Sequence, residues 1–223
     1  MNKLNHVAFI MDGNGRWGKK KKGKRNSGHY AGVQTVKKIV EASIKFKIPT
    51  LTFYVFSTEN WKRPKTEINF LFNLINSYFK LELKNVIKNG IKINIIGEFN
   101  KLPNKLKLIL RETIKKTKKN KKILVNLALN YGSKKELVNA FKKIKLSKIT
   151  ENNIKNNLYT KNIPDPDILI RTGGKKRLSN FMLWQLAYTE LFFLDKLWPD
   201  FLPNDLNKVL KHYYKTKRNY GGI

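Results

Sequence analysis

Five short apolar runs, Val7 to Met11, Leu51 to Phe56, Ile91 to Ile96, Ile123 to Leu129 and Ile168 to Ile170, recur along the 223-residue chain, with a sixth candidate at Leu191 to Leu194. They have the length of strands, several are rich in Ile and Val, and they are largely apolar, as strands are when a sheet is covered on both faces. Between them the pattern changes to a helical period. Tyr30 to Phe46 sets Val33, Val36, Ile39, Val40, Ser43 and Ile44 on one side, and similar stripes run through Glu67 to Ile87, Asn104 to Lys118, Lys134 to Ile144 and Asn204 to Lys217. Strands alternating with helices predict βαβ units and an α/β fold. The expectation is a single domain over residues 1–223 with a mostly parallel central β-sheet flanked by helices, since no linker or repeat divides the chain.

In such a sheet, ligands bind beyond the carboxyl ends of the strands. Three polar segments stand there. Asp12-Gly13-Asn14-Gly15-Arg16-Trp17 follows the first run and reads as a glycine-permissive loop. Its backbone N–H groups and Arg16 suit a phosphate, and Asp12 suits a hard cation such as Mg²⁺ held against phosphate oxygens. Alone, the tetrapeptide is equally compatible with an ordinary turn. The second segment, Phe56-Ser57-Thr58-Glu59-Asn60-Trp61-Lys62-Arg63-Pro64, ends the Leu51 run. The third, Arg171-Thr172-Gly173-Gly174, ends the Ile168 run and continues through Arg177-Leu178-Ser179-Asn180 to Trp184 and Glu190.

Taken together, from His6 to Gly222, these blocks resemble the cis-prenyltransferases, the undecaprenyl diphosphate synthase family. The resemblance implies an enzyme that adds isopentenyl diphosphate repeatedly to an allylic diphosphate, with farnesyl diphosphate the expected primer. Each addition makes a cis double bond, and the product is expected to be undecaprenyl diphosphate. It further implies that Gly13, Asn14, Gly15, Arg16, Arg25, His29 and Arg63 surround the allylic diphosphate, and that Arg171, Arg177 and Ser179 hold the isopentenyl diphosphate. Ser57, Thr58, Glu59 and Leu178 belong to the same substrate-binding blocks. Asp12 and Glu190 would hold Mg²⁺, and Asn60 would orient substrate or relay a proton, because an amide is a poor base at neutral pH. Trp17, Phe56 and Trp61 would cover the reacting carbons, although Phe56 reads equally well as an ordinary core residue. Lys175 and Lys176 stand where relatives commonly carry an acidic residue and a histidine, which changes the local charge. A homodimer, peripheral contact with the inner face of a membrane and a cytoplasmic location complete the expectation.

Helix Glu67 to Ile87 is apolar on more than one stripe. Ile68, Leu71, Phe72, Ile75, Phe79 and Leu83 form one face, and Phe70, Leu74, Tyr78 and Leu81 a second beside it. Two readings stand open: a dimer or core contact, and the wall of a hydrophobic tunnel for the growing chain. His6 and His212 have no chemical neighbours in sequence and read as structural or exposed. Trp184 and Tyr188 read as core, and the Lys19 to Lys24 run reads as a mobile flank of the phosphate loop.

The formal charge of +32 suggests nucleic acid at first sight. The distribution argues otherwise, because 40 of the 47 basic residues are Lys strewn through nearly every segment, as a biased codon usage would leave them. Five of the seven arginines, Arg16, Arg25, Arg63, Arg171 and Arg177, fall in or beside the polar blocks. A guanidinium grips a phosphate through two parallel bonds where an ammonium offers a point charge. Aromatic residues lie in apolar runs and motif blocks rather than interleaved with cations, so a basic RNA-binding protein is a rival without a surface. A non-catalytic partner subunit is the other rival, disfavoured because Asp12, Asn60, Arg171, Arg177 and Glu190 are all present. No two acidic residues are adjacent, which excludes a synthase built on aspartate-rich metal clusters. Cysteine is absent, which suits a reducing compartment, and no apolar run approaches the roughly 20 residues that span a bilayer.

Overall fold

The computed structural model describes residues 2–145 and 149–219; the end of the resemblance at Gly222 lies outside them. Six strands, β1 (His6–Ile10), β2 (Thr50–Ser57), β3 (Ile91–Ile96), β4 (Ile123–Tyr131), β5 (Ile168–Arg171) and β6 (Glu190–Phe193), form one sheet in the order β3-β4-β2-β1-β5-β6. Every neighbouring pair is parallel. All six strand positions follow the apolar runs to within two residues.

Side chains of successive strand residues point to opposite faces, and each face has its own cover. Val7, Phe9, Leu51, Phe53, Ile93 and Val125 face a core closed by helices α2 (Arg25–Lys45), α3 (Lys65–Lys88), α4 (Asn104–Thr117) and α7 (Pro203–Lys215). Ala8, Ile10, Ala128 and Leu169 face the other way, onto Phe181, Met182 and Leu186 of the segment between β5 and β6. Helix α5 (Ser133–Phe141) and the short helix α6 (Glu151–Asn157) pack against each other beside that segment. Helix α6 was not foreseen, because in its seven residues the only apolar one is Ile154, too few for a period to register. Trp184 is half-buried against the α5–α6 cluster, but Tyr188 is 64 % exposed and is not core.

The largest difference from the sequence reading lies after β1. Residues 14–22 are not a loop but helix α1 (Asn14–Lys22), whose N-cap is Gly13 at φ 108°. That left-handed turn lets the chain leave the strand and start a helix at once, and a Cβ on Gly13 would sit 2.7 Å from the Leu197 side chain. Lys19 to Lys22 form the last turn of α1, so they are helical rather than a mobile flank. Four cations there face the negative end of the helix dipole, and Gly23 at φ 68° closes it.

A row of polar side chains runs under the second face of the sheet. Asn94 donates to Asn126, Asn126 donates to Thr52 Oγ1, and Thr52 bonds His6 Nε2 at 2.7 Å. His6 Nδ1 lies 2.7 Å from the Pro164 carbonyl. A carbonyl only accepts, so Nδ1 carries the proton, Nε2 accepts from Thr52 and the ring is neutral. Burial pushes the His6 pKa down to about 4 from 6.5. The unfolded chain therefore binds the extra proton first. The stability that neutral His6 confers is complete above pH 6.5 and is lost as pH falls to about 4. Wild-type protein should lose about 3 kcal/mol more between pH 7 and pH 4 than a His6→Gln variant in urea melts. Parallel pH profiles for the two proteins would contradict this assignment.

Candidate active site

The strand order changes direction at β1: the chain passes from β1 to β2 on one side and, later, to β5 on the other. Parallel pairing aligns Ile10 with Arg171, so the second residue beyond β1 and the last residue of β5 meet beyond this switch point. There Asp12 Oδ2 accepts from Arg171 Nη2 at 3.0 Å, and its Oδ1 lies 3.3 Å from Arg16 Nη2. Arg16 also donates to the Gly173 carbonyl. Arg171 is 3 % exposed. Its other terminal nitrogen donates to Ser179 Oγ at 2.8 Å and to the Arg177 carbonyl, while its Nε is buried without a partner.

Around this pair opens a polar cleft of ≈ 700 Å³ whose walls include Arg16, Arg25, Arg63, Arg171 and Arg177. The five arginines singled out by sequence thus converge on one space. Helix α1 points its N-terminus at it, where the first N–H groups of a helix lack intrahelical partners and favour an anion. Gly15 on α1 lies under Arg25: a Cβ there would meet the guanidinium carbon at 2.7 Å.

Arg25, Arg63 and His29 share one anchor that the sequence reading did not single out. Glu67, in the first turn of α3, lies 3.3 Å from His29 Nε2, 3.2 Å from Arg63 Nη1 and 3.4 Å from Arg25 Nε. Burial alone would raise its carboxyl, but the bond from Arg25 and the surrounding guanidinium charge hold it below the ordinary range. Burial lowers the His29 pKa despite that carboxylate, so the ring is neutral at pH 7. The signal for Glu67 was its place in the first turn of a predicted helix just after Arg63 and Pro64, close enough in sequence for the two charges to pair.

The segment after β2 forms a 3-10 turn (Thr58–Lys62). Ser57, Glu59, Asn60 and Arg63 line the cleft. Asn60 Oδ1 accepts the Ser57 N–H at 3.1 Å, which leaves the amide nitrogen to act outward as a donor. Burial would raise Glu59, yet hydrogen bonds led by that from Asn180 leave its carboxyl lowered.

Several expected residues lie elsewhere. Trp17 donates to Asp200 and is not part of the cleft wall. Trp61 bonds Asn130 and packs edge-on against Phe56 and Phe72; neither tryptophan covers the cleft. Thr58 turns to Glu59, and Leu178 packs into the second core. Glu190 opens β6 and pairs with Ile168, whereas Arg171 pairs with Phe193. At about 3.3 Å per residue, it sits roughly 10 Å back along the sheet from the edge where Asp12 stands. Its charged neighbour is Arg218, at 3.7 Å. The structure therefore does not bring Glu190 and Asp12 together within one chain. Among the described residues no three His, Cys, Asp or Glu side chains gather as a cage. A lone carboxylate beside an anion site fits Mg²⁺ that takes its other ligands from phosphate and water.

Behind the cleft, between α2, α3 and the sheet, lies an apolar cavity of ≈ 150 Å³. Met11, Asn14, His29, Val55 and Leu71 border both spaces, so the two are adjacent and share a wall. Phe56, Leu74, Tyr78 and Trp198 line the cavity. Leu81 is 79 % exposed and does not, and Phe70 is only half-buried. The second stripe of α3 is thus divided, its middle facing the cavity and Leu81 facing out.

A family model for undecaprenyl diphosphate synthase matches residues 10–221. The isoprenyl transferase of Oceanobacillus iheyensis is 44% identical, with 98% of this chain and 90% of that protein covered. The ditrans,polycis-undecaprenyl-diphosphate synthase of Micrococcus luteus, described as specific for (2E,6E)-farnesyl diphosphate, is 42% identical over 98% of this chain and 91% of its own length. The crystal structure of lavandulyl diphosphate synthase from Lavandula x intermedia, bound to dimethylallyl diphosphate, superposes with a TM-score of 0.94. It shares 32% identity and covers 98% of both chains.

The Gly15 geometry makes a specific prediction. Gly15→Ala should leave thermal stability unchanged or slightly higher, since Ala is the better helix former. It should weaken inorganic pyrophosphate binding by about tenfold or more, the cost of displacing one charged hydrogen-bond donor. Unaltered affinity in calorimetry would remove Arg25 from the anion site.

Proposed function

This chain belongs to the undecaprenyl diphosphate synthase family of cis-prenyltransferases, and on that premise we propose that it condenses isopentenyl diphosphate repeatedly onto farnesyl diphosphate to make undecaprenyl diphosphate. The observation that carries this reading is an arginine-lined cleft set directly beside an apolar cavity with which it shares five lining residues. A diphosphate fits the first and its hydrocarbon tail the second.

In each condensation the allylic C1–O bond breaks, and its electron pair leaves with the diphosphate. The double bond of isopentenyl diphosphate attacks C1, a new C–C bond forms, and a proton is lost from the isopentenyl unit. Arg25, Arg63 and the start of α1 would take the leaving diphosphate, whose charge rises as the bond breaks, and preset donors stabilise such charge without reorganising. Arg171, Arg177 and Ser179 would hold the second diphosphate. Two polyanions side by side need cations between them, and Asp12, in contact with Arg16 at the start of α1 and with Arg171 of the second set, links the two. Asp12 would hold Mg²⁺ together with diphosphate oxygens, supplying further charge neutralisation when the metal is bound. Asn60, with its oxygen engaged by Ser57, would donate to substrate, so a diphosphate oxygen or water is the better proton acceptor. Phe56 and the cavity wall would exclude water from the allylic carbon.

The remaining expectations stay part of the proposal. Glu190 reaches a metal only if a second copy supplies it. A homodimer gains support from β6, an edge strand exposing Leu191. Among the described residues no helix is long and apolar enough to cross a membrane. Contact with one would be peripheral, favoured by the charge of +32 at about 1 kcal/mol per basic residue near an anionic surface.

Incubation with labelled isopentenyl diphosphate, farnesyl diphosphate and Mg²⁺ should yield a ladder of polyprenyl diphosphates; no product beyond the primer would sink the reading. Asp12→Ala should lower turnover by about 10²–10³ while the fold persists, and near-normal turnover would end its assignment. Enlarging Leu74 or shrinking Tyr78 should shift product length with little effect on the first condensation. The same changes at Leu81 should leave product length alone. Equal shifts at all three positions would argue against the cavity as the site of the growing chain.

A further inference from the structure

Asn180 stands where three elements meet. Its backbone is left-handed, φ 62°, as are Ser179 and Met182 at φ 52° and 47°. Such conformations persist in residues other than glycine only where surrounding contacts impose them, and here the contacts are visible. The Asn180 carbonyl accepts the Ser133 N–H at 2.8 Å and its side-chain oxygen accepts the Lys134 N–H at 2.9 Å. Two of the free N–H groups at the start of α5 are thereby used. Its Nδ2 donates to Glu59 Oε1 at 2.9 Å, across 121 residues of chain. Ser133 Oγ accepts the Leu183 N–H on the far side of the turn. Gly132 leaves the room: a Cβ there would lie 2.5 Å from Thr58 Oγ1 and 2.8 Å from Asn180 Nδ2.

One amide thus ties the start of α5, the turn after β2 and the segment after β5. On one side of it are Arg177 and Ser179, on the other Ser57 and Asn60, and all of them line the cleft with Asn180. Tyr54, on β2, adds a second tie through its hydroxyl to the Ser179 carbonyl at 3.3 Å. We infer that Asn180 is a positioning residue that locks the isopentenyl diphosphate segment, Arg177 to Ser179, to the turn carrying Asn60, through its bond to Glu59. The inference rests on the function proposed above. Asn180 fixes where the second diphosphate sits relative to the amide that faces it, and its bonds go to Ser133, Lys134 and Glu59 rather than to Arg16, Arg25, His29 or Arg63 of the allylic diphosphate group.

The test is a double-mutant cycle that reverses the polarity of the bond. In Asn180→Asp the donor becomes a carboxylate facing Glu59, while the new side chain still tolerates the left-handed backbone. In Asn180→Asp with Glu59→Gln, the introduced amide can donate to the introduced carboxylate and restore the bond. Asn180→Asp should raise the KM for isopentenyl diphosphate roughly tenfold in the wild-type background and only about twofold in the Glu59→Gln background, a coupling ordinary for bonded neighbours. The KM for farnesyl diphosphate should stay within about twofold in all four proteins, a split that general loss of structure would not give. An equal rise in both backgrounds, or equal effects on both substrates, would overturn the inference. Asn180→Gly keeps the backbone conformation, and paired with Glu59→Ala it gives a second cycle should Asn180→Asp fold poorly; strict additivity there counts against the inference in the same way. Wild-type elongation with an additive cycle defeats this coupling alone, whereas a wild type that makes no polyprenyl product defeats the proposed function.

Discussion

The contact between Arg171 and Asp12 sets the position of everything else in the cleft. It exists because β1 and β5 run parallel in one register, which carries a carboxylate from residue 12 and a guanidinium from residue 171 to the same edge. A nearly buried guanidinium needs partners for its charge at its terminal nitrogens. Arg171 finds them in Asp12, Ser179 and the Arg177 carbonyl, and so draws the chain after β5 back over the strand ends. The same aspartate engages Arg16, which fixes the start of α1. One ion pair therefore aligns two of the three polar segments, and the Glu59–Asn180 bond aligns the third.

Charge in the cleft is organised by two carboxylates with different tasks. Glu67 stands behind Arg25, His29 and Arg63 and holds them apart and oriented without entering the cleft wall. Asp12 stands in front, 30 % exposed at its side chain, where a cation could bridge it to phosphate. The net excess of guanidinium charge is balanced only when anions arrive. A site of this kind is preorganised at the expense of mutual repulsion among its arginines, a cost that Glu67 reduces.

Much of this was legible in the sequence, for identifiable reasons. Short, largely apolar runs spaced between helical periods point to parallel strands, so the six strands and five of the seven α-helices among the described residues were foreseen. The five arginines stood out because the chain otherwise uses lysine. Helix α1 was not legible, since Asn-Gly-Arg-Trp-Gly followed by four lysines has no apolar stripe; it is held instead by close packing of Gly18 and Gly28 against α2 and α1. Trp17 and Trp61 stand outside the cleft wall, which the sequence did not show because a motif gives order along the chain and not the direction of a side chain. Asp200 and Asn130, which decide where those indoles turn, are distant in sequence. Glu190 stands away from Asp12 of its own chain for the converse reason: it is near the motif in sequence but starts a strand whose far end faces the cleft.

The strand order also has a meaning in time. β1 lies in the middle of the sheet, flanked on one side by strands made early and on the other by β5 and β6, which are made late. Asp12 leaves the ribosome 159 residues before Arg171, an interval of roughly 8–30 s at about 5–20 residues per second. During synthesis β1, β2, β3 and β4 can assemble under their helices while β1 remains an open edge. The cleft closes last, when the final third of the chain completes the sheet, so ligand-binding competence marks the end of folding rather than accompanying its progress.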